Sequence, residues 1–289
     1  MILDGKEVSN SIKNDIKRDI ESLLLKGIQP GLGVILVGER IESHIYVSMK
    51  EKACNELGIF SKVYRLPEET SEQEINDKIQ LFNDDDRIHG ILVQLPLPKH
   101  IDERTVLDYI SPKKDVDGLG VLNTGKLMIN NNVQIMPCTP RGCIEMLDYY
   151  NIPLLSKEIT IIGTSNLVGL PLSIMLLHRG ATITLCNINT NCIKEKTKDA
   201  DIVIACCGVP RLVKSDWVKK GSIIIDIGIN KIEDNTSKGY TLVGDVDYDN
   251  IKDKVEYITP VPGGIGPMTI AILMKQTVDI CIELHKSKI

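Results

Sequence analysis

Tyr46 and Lys50 stand four residues apart in Glu42-Ser-His-Ile-Tyr-Val-Ser-Met-Lys50, within a stretch free of Gly and Pro from 41 to 57 and closed by Gly58. On a helix that spacing points a phenol and an ammonium from one face. A cation beside a phenol favours the phenolate, and a partly desolvated lysine gives up its proton more readily, so the pair suits proton transfer near neutral pH. The same residues also read as a solvated pair on an amphipathic helix. Gln94 ends the strand pattern Gly90-Ile-Leu-Val-Gln94, which Leu95-Pro-Leu-Pro98 cannot continue. Ligands in α/β sheets sit beyond the carboxyl ends of strands, which suits Gln94, although a buried glutamine bonded to local backbone fits equally. Asp117 lies in Lys113-Lys-Asp-Val-Asp117-Gly-Leu119. Before Gly118 it reads first as a turn residue; a carboxylate there can also accept paired N–H bonds from a heterocycle.

A different chemistry is written at Gly163-Thr-Ser-Asn-Leu-Val-Gly169-Leu-Pro171, after the strand pattern Glu158-Ile-Thr-Ile-Ile162 and before an apolar helix ending at His178. Strand, Gly-rich turn and helix N-terminus together favour a phosphate, through free N–H groups and the helix dipole. The turn departs from G-x-G-x-x-G, because Ser165 takes the second glycine place and the last glycine comes one residue late. It is not a nucleophile elbow either, since Leu167 fills a required glycine position.

These residues need elements to hold them. Ile12, Ile16, Ile20 and Leu23 recur at helical spacing, and Leu32-Gly-Val-Ile-Leu-Val37 reads as a strand buried on both faces. A strand at Ser61–Leu66 and a helix opened by the capping box Ser71-x-x-Glu74 follow. Residues 110–140 read as connection and loop, with a helix near Arg141–Tyr150. Strands are expected at Ala181–Cys186, Asp201–Cys206 and Ser222–Ile227, the last leading through Gly228 to Ile229 and Asn230. Thr259-Pro-Val-Pro-Gly-Gly-Ile-Gly-Pro-Met268 is the densest Pro/Gly segment and feeds a final helix from Thr269 to His285. The alternation predicts an α/β fold with parallel sheets, the later strands spaced as a second, Rossmann-like doubly wound unit, in a chain whose length suits two domains or one large one.

With 289 residues, 43% of them hydrophobic, the chain can bury a substantial core. A net charge of −5 and the lack of a basic run interleaved with aromatics argue against nucleic acid and against anionic membrane as partners. No apolar run is expected to approach the length of a membrane span, and the opening Met1-Ile-Leu-Asp-Gly-Lys6 is no leader. The eight cysteines form no C-x-x-C, so neither zinc nor another metal nor disulfides are signalled; free thiols predict a reducing, cytoplasmic setting. Asn235-Thr-Ser237 fits a glycosylation sequon but reads as a polar loop.

In order and spacing, the sequence resembles the bifunctional methylenetetrahydrofolate dehydrogenase/cyclohydrolase family over essentially the whole chain. The resemblance rests on Ser43-x-x-Tyr46-x-x-x-Lys50, Val93-Gln-Leu-Pro-Leu97, Lys114-Asp-Val-Asp-Gly118, Pro137-Cys-Thr-Pro140-x-Gly142, Val243-Gly-Asp-Val246 and Thr259-Pro-Val-Pro-Gly-Gly-x-Gly-Pro-Met-Thr269. It implies a folate-binding catalytic domain of residues 1–138 plus 270–289, an NAD(P)-binding domain of residues 139–269, a folate cleft between them, and a homodimer formed through the dinucleotide domain. It implies NADP-dependent oxidation of 5,10-methylenetetrahydrofolate and hydrolysis of the 5,10-methenyl product to 10-formyltetrahydrofolate. By position, Tyr46, Lys50, Gln94 and Asp117 fall on the catalytic and folate-site residues, with Pro262 and Gly263 lining the pocket. Lys50 is expected to handle the protons of hydrolysis, Tyr46 to orient folate and lysine, and Asp117 to hold the pterin.

Gly163, Thr164, Ser165, Ile188 and Ile229 fall on the cofactor side. Many members carry Arg where Thr164 stands and Ser or a basic residue where Ile188 stands. Cys186-Asn-Ile-Asn-Thr190 offers neither a cation for a 2′-phosphate nor a carboxylate for a free ribose hydroxyl, which leaves NAD open beside NADP, with Lys194 or Lys231 as the cations to reach the phosphate. An NAD-dependent monofunctional dehydrogenase is the nearest alternative. Short-chain dehydrogenases also use Tyr-x-x-x-Lys, but after the Gly-rich turn; here the pair precedes Gly163 by more than a hundred positions. A non-catalytic folate- or nucleotide-binding regulator is opposed by the intact Lys50, Gln94 and Asp117.

Overall fold

The computed structural model describes residues 1–131, 133–234 and 239–286, so the sequon at Asn235 lies outside the described residues. The chain divides into two compact units, one of residues 10–138 and 270–289, the other of residues 1–9 and 139–269.

In the first unit the elements run α1 (Gly5–Leu24, entering from the second unit), β1 (Gly31–Val37), α2 (Ile41–Leu57), β2 (Phe60–Leu66), α3 (Glu72–Asp84), β3 (Gly90–Val93), α4 (Glu103–Asp108) and α5 (Val121–Met128). The three strands form a parallel sheet in the order β2-β1-β3. Every residue of β1 is buried. Leu32, Val34 and Leu36 join one apolar cluster and Ile35 and Val37 another, as alternation requires of a strand covered on both faces. Gly58 ends α2 in the left-handed region, and Ser71 with Glu74 forms the expected capping box of α3. Residues 110–140 are not all loop. Helix α5 lies inside them, its start held where Asp108 accepts the Val121 N–H at 2.8 Å.

The second unit contains α6 (Cys138–Tyr149), β4 (Glu158–Ile162), α7 (Gly169–His178), β5 (Thr182–Cys186), α8 (Ile193–Thr197), β6 (Ile202–Ala205), β7 (Ile223–Asp226), a hairpin of β8 (Asn230–Glu233) and β9 (Tyr240–Val243), α9 (Tyr248–Ile251), β10 (Tyr257–Ile258) and the start of α10 (Ile265–Leu284). Its five parallel strands are ordered β10-β7-β6-β4-β5. The chain leaves the first strand, β4, to one side for β5 and to the other for β6, so β4/β6 is the topological switch point of a doubly wound sheet.

Three expectations change. Residues 1–9 cluster with 139–269 rather than with the first unit: Ile2 bridges Ile258, and the Leu3 and Gly5 N–H groups donate to the carbonyls of Ile258 and Gly263, both at 2.9 Å. The last helix starts at Ile265, not Thr269, because Pro267 falls in its first turn, where a missing N–H costs nothing. At 20 residues α10 is also long and apolar enough to cross a membrane, contrary to the expectation that no run approaches that length. From Ile270 onward its Ile272, Leu273, Met274, Val278 and Cys281 are buried in the first unit's core, which is what makes it so apolar.

Candidate active site

The buried residues of α2 are Ser43, Val47, Lys50, Ala53, Cys54 and Leu57, and all but Ala53 follow one another at steps of four, three, four and three. Lys50 therefore occupies a position of the core-facing stripe, where an apolar residue is the rule. It is 8% exposed, and its Nζ donates to Gln94 Oε1 at 2.8 Å. Gln94 Nε2 donates to the Leu95 carbonyl at 2.7 Å, which fixes the amide so that oxygen faces the lysine. Gln94 follows the last residue of β3, and its own N–H bonds Ile35 of β1. The lysine thus meets the glutamine at the carboxyl ends of β1 and β3, the switch point of this sheet.

Burial pushes the Lys50 ammonium below its ordinary value, and the charges of Asp117 and Cys138 act against that. Gln94 is neutral and its Oε1 can accept an N–H from the ammonium or from the neutral amine, so it does not lock the lysine in its charged form. Tyr46 lies one helical turn before Lys50 but off the buried stripe, 38% exposed. The expected common face is real for the backbone positions, while the two side chains occupy different environments.

The Asp117 turn resolves into two carboxylates with different tasks. Asp115, 1% exposed, accepts the N–H groups of Gly118, Leu119 and Gly120 and the Asn123 amide, at 2.9–3.4 Å. It makes the turn, so Asp117 does not have to. Lys114 caps α3, donating to the carbonyls of Phe82, Asn83 and Asp85 at 2.8–3.1 Å. Asp117 stays half-buried, near enough for its charge to oppose the burial that lowers Lys50 and to add to the burial that raises the Cys138 thiol. Gln276 of α10 completes this wall, donating to the carbonyls of Val116 and Met136 and to Cys138 Sγ at 2.7–3.4 Å. Asp115, Cys138 and Gln276 carried no role in the sequence reading. The available signals were an acid two places before Asp117 in the same turn and a polar Gln inside an apolar helix.

In the second unit Gly163 follows β4 with φ of 121°, and a Cβ on Gly169 would lie 1.9 Å from its carbonyl oxygen. Close approach, rather than the usual spacing, is what the late glycine provides. Thr164 is half-buried and Ser165 exposed; Ser165 Oγ accepts the Val168 N–H at 3.2 Å and its carbonyl accepts that of Leu170 at 3.1 Å. The turn opens onto the positive end of α7, where an anion is favoured. Ile188, after β5, is 96% exposed, and Ile229, after β7, is half exposed with its Cδ1 3.7 Å from where a Gly266 Cβ would stand. Neither anticipated cation is idle: Lys194 pairs with Asp216 at 2.5 Å, and Lys231 sits 5.3 Å above the Tyr240 ring. Pro262, after a cis bond, and Gly263, at φ of 111°, also belong to this unit. The structure therefore brings Lys50, Gln94 and Asp117 together in one unit, and Gly163, Thr164 and Ser165 at one turn of the other.

A doubly wound sheet with a glycine cradle at its switch point, joined in one chain to a smaller parallel sheet holding a buried lysine, defines a two-domain α/β protein of the dinucleotide-binding class. Comparison with known proteins narrows that class. The chain belongs to the tetrahydrofolate dehydrogenase/cyclohydrolase family: residues 3–117 match its catalytic domain and residues 137–285 its NAD(P)-binding domain. The bifunctional protein FolD of Nautilia profundicola is 48% identical over 285 residues, covering 99% of this chain and 98% of its own. The solved bifunctional FolD of Campylobacter jejuni is 44% identical with a TM-score of 0.94, over 98% of this chain and 99% of that one. The methylenetetrahydrofolate dehydrogenase-cyclohydrolase of Trypanosoma brucei, solved with NADP and an inhibitor, is 34% identical with a TM-score of 0.94, over 98% of each chain.

Proposed function

We propose that this chain oxidises 5,10-methylenetetrahydrofolate to the 5,10-methenyl form with NADP and hydrolyses that cation to 10-formyltetrahydrofolate. The observation that carries the reading is a lysine in a core stripe, hydrogen-bonded to Gln94 and depressed in pKa by burial, in a family named for these two activities. Bound NADP would accept a hydride from the one-carbon bridge, leaving an amidinium cation with no proton to remove, so the protein's task in that step is positioning.

Hydrolysis makes the opposite demand. Water adds to the amidinium carbon and loses a proton, then the carbon–N5 bond breaks as N5 gains one. Neutral Lys50 takes the proton from water and its ammonium returns one to N5, with Gln94 Oε1 keeping Nζ aimed. Burial favours the neutral amine and the Asp117 charge favours the ammonium, the two forms the cycle needs. Because Asp115 builds the turn, the Asp117 carboxylate can hold the pterin ring, and Tyr46 orients the folate from the rim.

NADP fits the cradle at Gly163, Thr164 and Ser165, with Ile188 on the adenosine side and Ile229 toward the nicotinamide. The exposed loop after β5 carries no acid to repel a 2′-phosphate, which favours NADP over NAD. β5 is an edge strand with Leu185 exposed, and we infer a homodimer through this unit. All eight cysteines are free, which suits the cytoplasm. A spectroscopic assay of the purified protein with methylenetetrahydrofolate, run separately with NADP and NAD, tests the reading. Methenyl formation without its subsequent hydrolysis would reduce the function to a monofunctional dehydrogenase.

A further inference from the structure

Two carboxylates of the second unit lie wholly inside the protein. Asp226, the last residue of β7, is 2% exposed, and Asp245, just past β9, is 0% exposed. Asp226 Oδ1 accepts the N–H groups of Gly228 at 3.0 Å and Asp245 at 2.9 Å, and Oδ2 that of Val246 at 2.9 Å. Asp245 in turn reaches outward. Its Oδ2 accepts the N–H groups of Cys207 at 2.7 Å and Gly208 at 2.9 Å, and its Oδ1 the Asn230 amide at 2.9 Å.

The backbone has been shaped around the pair. A Cβ on Gly244 would stand 1.8 Å from Asp226 Oδ2, and one on Gly228 2.2 Å from Asp245 Oδ1. Burying two acids this close is costly, and ordinary turn residues would satisfy the same few N–H groups more cheaply. What a carboxylate adds is a single rigid acceptor for donors from two strand ends: Cys207 and Gly208 beyond β6, and Asn230 beyond β7. Those ends lie on the side of the β4/β6 switch point away from β5. With the diphosphate on the β4 turn and adenosine toward β5, the nicotinamide half falls on the β6/β7 side.

We propose that Asp245, buttressed by Asp226, is a positioning residue for the nicotinamide half of the dinucleotide, its carboxylate fixing Cys207–Gly208 and Asn230 at the ends of β6 and β7. The inference rests on the dinucleotide reading above. It makes Asp245 a residue of the dehydrogenase step alone, because hydrolysis uses no cofactor.

The test uses the full-length Asp245→Asn and Asn230→Ala proteins, titrated with NADP and separately with adenosine 2′,5′-bisphosphate, which lacks the nicotinamide half. Asp245→Asn should weaken NADP binding tenfold or more and raise the NADP KM of the dehydrogenase. Adenosine 2′,5′-bisphosphate affinity and cyclohydrolase kcat should stay within twofold of wild type. Asn230→Ala should show the same pattern more weakly, and it decides the matter if Asp245→Asn does not fold. Equal weakening of both ligands, parallel loss of both activities, or NADP affinity unchanged in Asn230→Ala would overturn the inference. Failure of the wild-type protein to bind NADP would instead sink the dinucleotide reading itself.

Discussion

Lys50 Nζ and Gln94 Oε1 lie 2.8 Å apart, joining a core position of α2 to the carboxyl end of β3. The bond is to a neutral partner, so burial lowers the lysine's pKa and the nearby Asp117 and Cys138 charges oppose it. Lys50→Met fills the same stripe with an apolar side chain of similar length. It should lower cyclohydrolase kcat by two orders of magnitude or more, the scale of general acid–base catalysis, while dehydrogenase activity stays within about tenfold. Assaying both activities on one preparation is decisive, since equal retention would remove Lys50 from the hydrolytic step.

Asp117 raises the Lys50 pKa that burial lowers. If neutral Lys50 is the base, hydrolysis fails at acid pH as the amine protonates. Asp117→Asn takes away the opposing charge, so the acid limb of cyclohydrolase kcat should move to lower pH. Saturating folate keeps the expected loss of pterin binding in KM. A limb that stays in place, or moves up, would mean another group sets it.

How much of this was legible beforehand divides by the range of the interaction. The strand at Leu32–Val37, the capping box at Ser71 and the Gly58 stop are written in adjacent residues, and the structure holds them within a residue or two. The burial of Lys50 was also readable, in the 43-47-50-54-57 spacing, although only Tyr46 and Lys50 were singled out. Asp115 and Asp245 were not legible, because an acid that binds backbone N–H groups has no periodic signature; their motifs carried the resemblance without revealing the task. Helix α5 was missed since Gly125 and Asn123 weaken its propensity, and Asn123 is there to bond Asp115. The docking of residues 1–9 on Ile258 and Gly263 depends on partners some 250 positions away.

Gly169 has no room for a side chain, with the Gly163 carbonyl 1.9 Å from the position of a Cβ. Gly169→Ala must move the turn proposed to hold the diphosphate. A stability loss of about 1–3 kcal/mol is expected from overpacking of this kind. Dehydrogenase activity should fall at least tenfold through the NADP KM, with cyclohydrolase kcat largely kept in the folded fraction. Dehydrogenase kinetics like wild type would mean that the cofactor does not use this turn.

Ile188 is almost fully exposed after β5, where a 2′-phosphate is expected and Lys194 is engaged by Asp216. Ile188→Arg adds a planar cation suited to phosphate at little cost to folding. The ratio of kcat/KM for NADP over NAD should rise about tenfold, corresponding to ~1.4 kcal/mol. An unchanged ratio would place the adenosine end elsewhere.

Burial pushes the Asp226 carboxyl up to about 7, against its backbone hydrogen bonds, with the Asp245 charge adding to the rise. A carboxyl whose pKa is higher folded than unfolded binds its proton better in the native state. Its contribution to stability is therefore complete below the unfolded value, about 4, and is lost as pH rises through about 7. The full swing is on the order of a few kcal/mol. Urea unfolding at intervals from pH 5 to 8 should show wild-type stability falling relative to Asp226→Asn. The variant should be less stable at the acid end, where its amide N–H₂ meets an N–H donor, but flatter across the range. Parallel curves for the two proteins would mean that Asp226 is ionised in the folded state throughout.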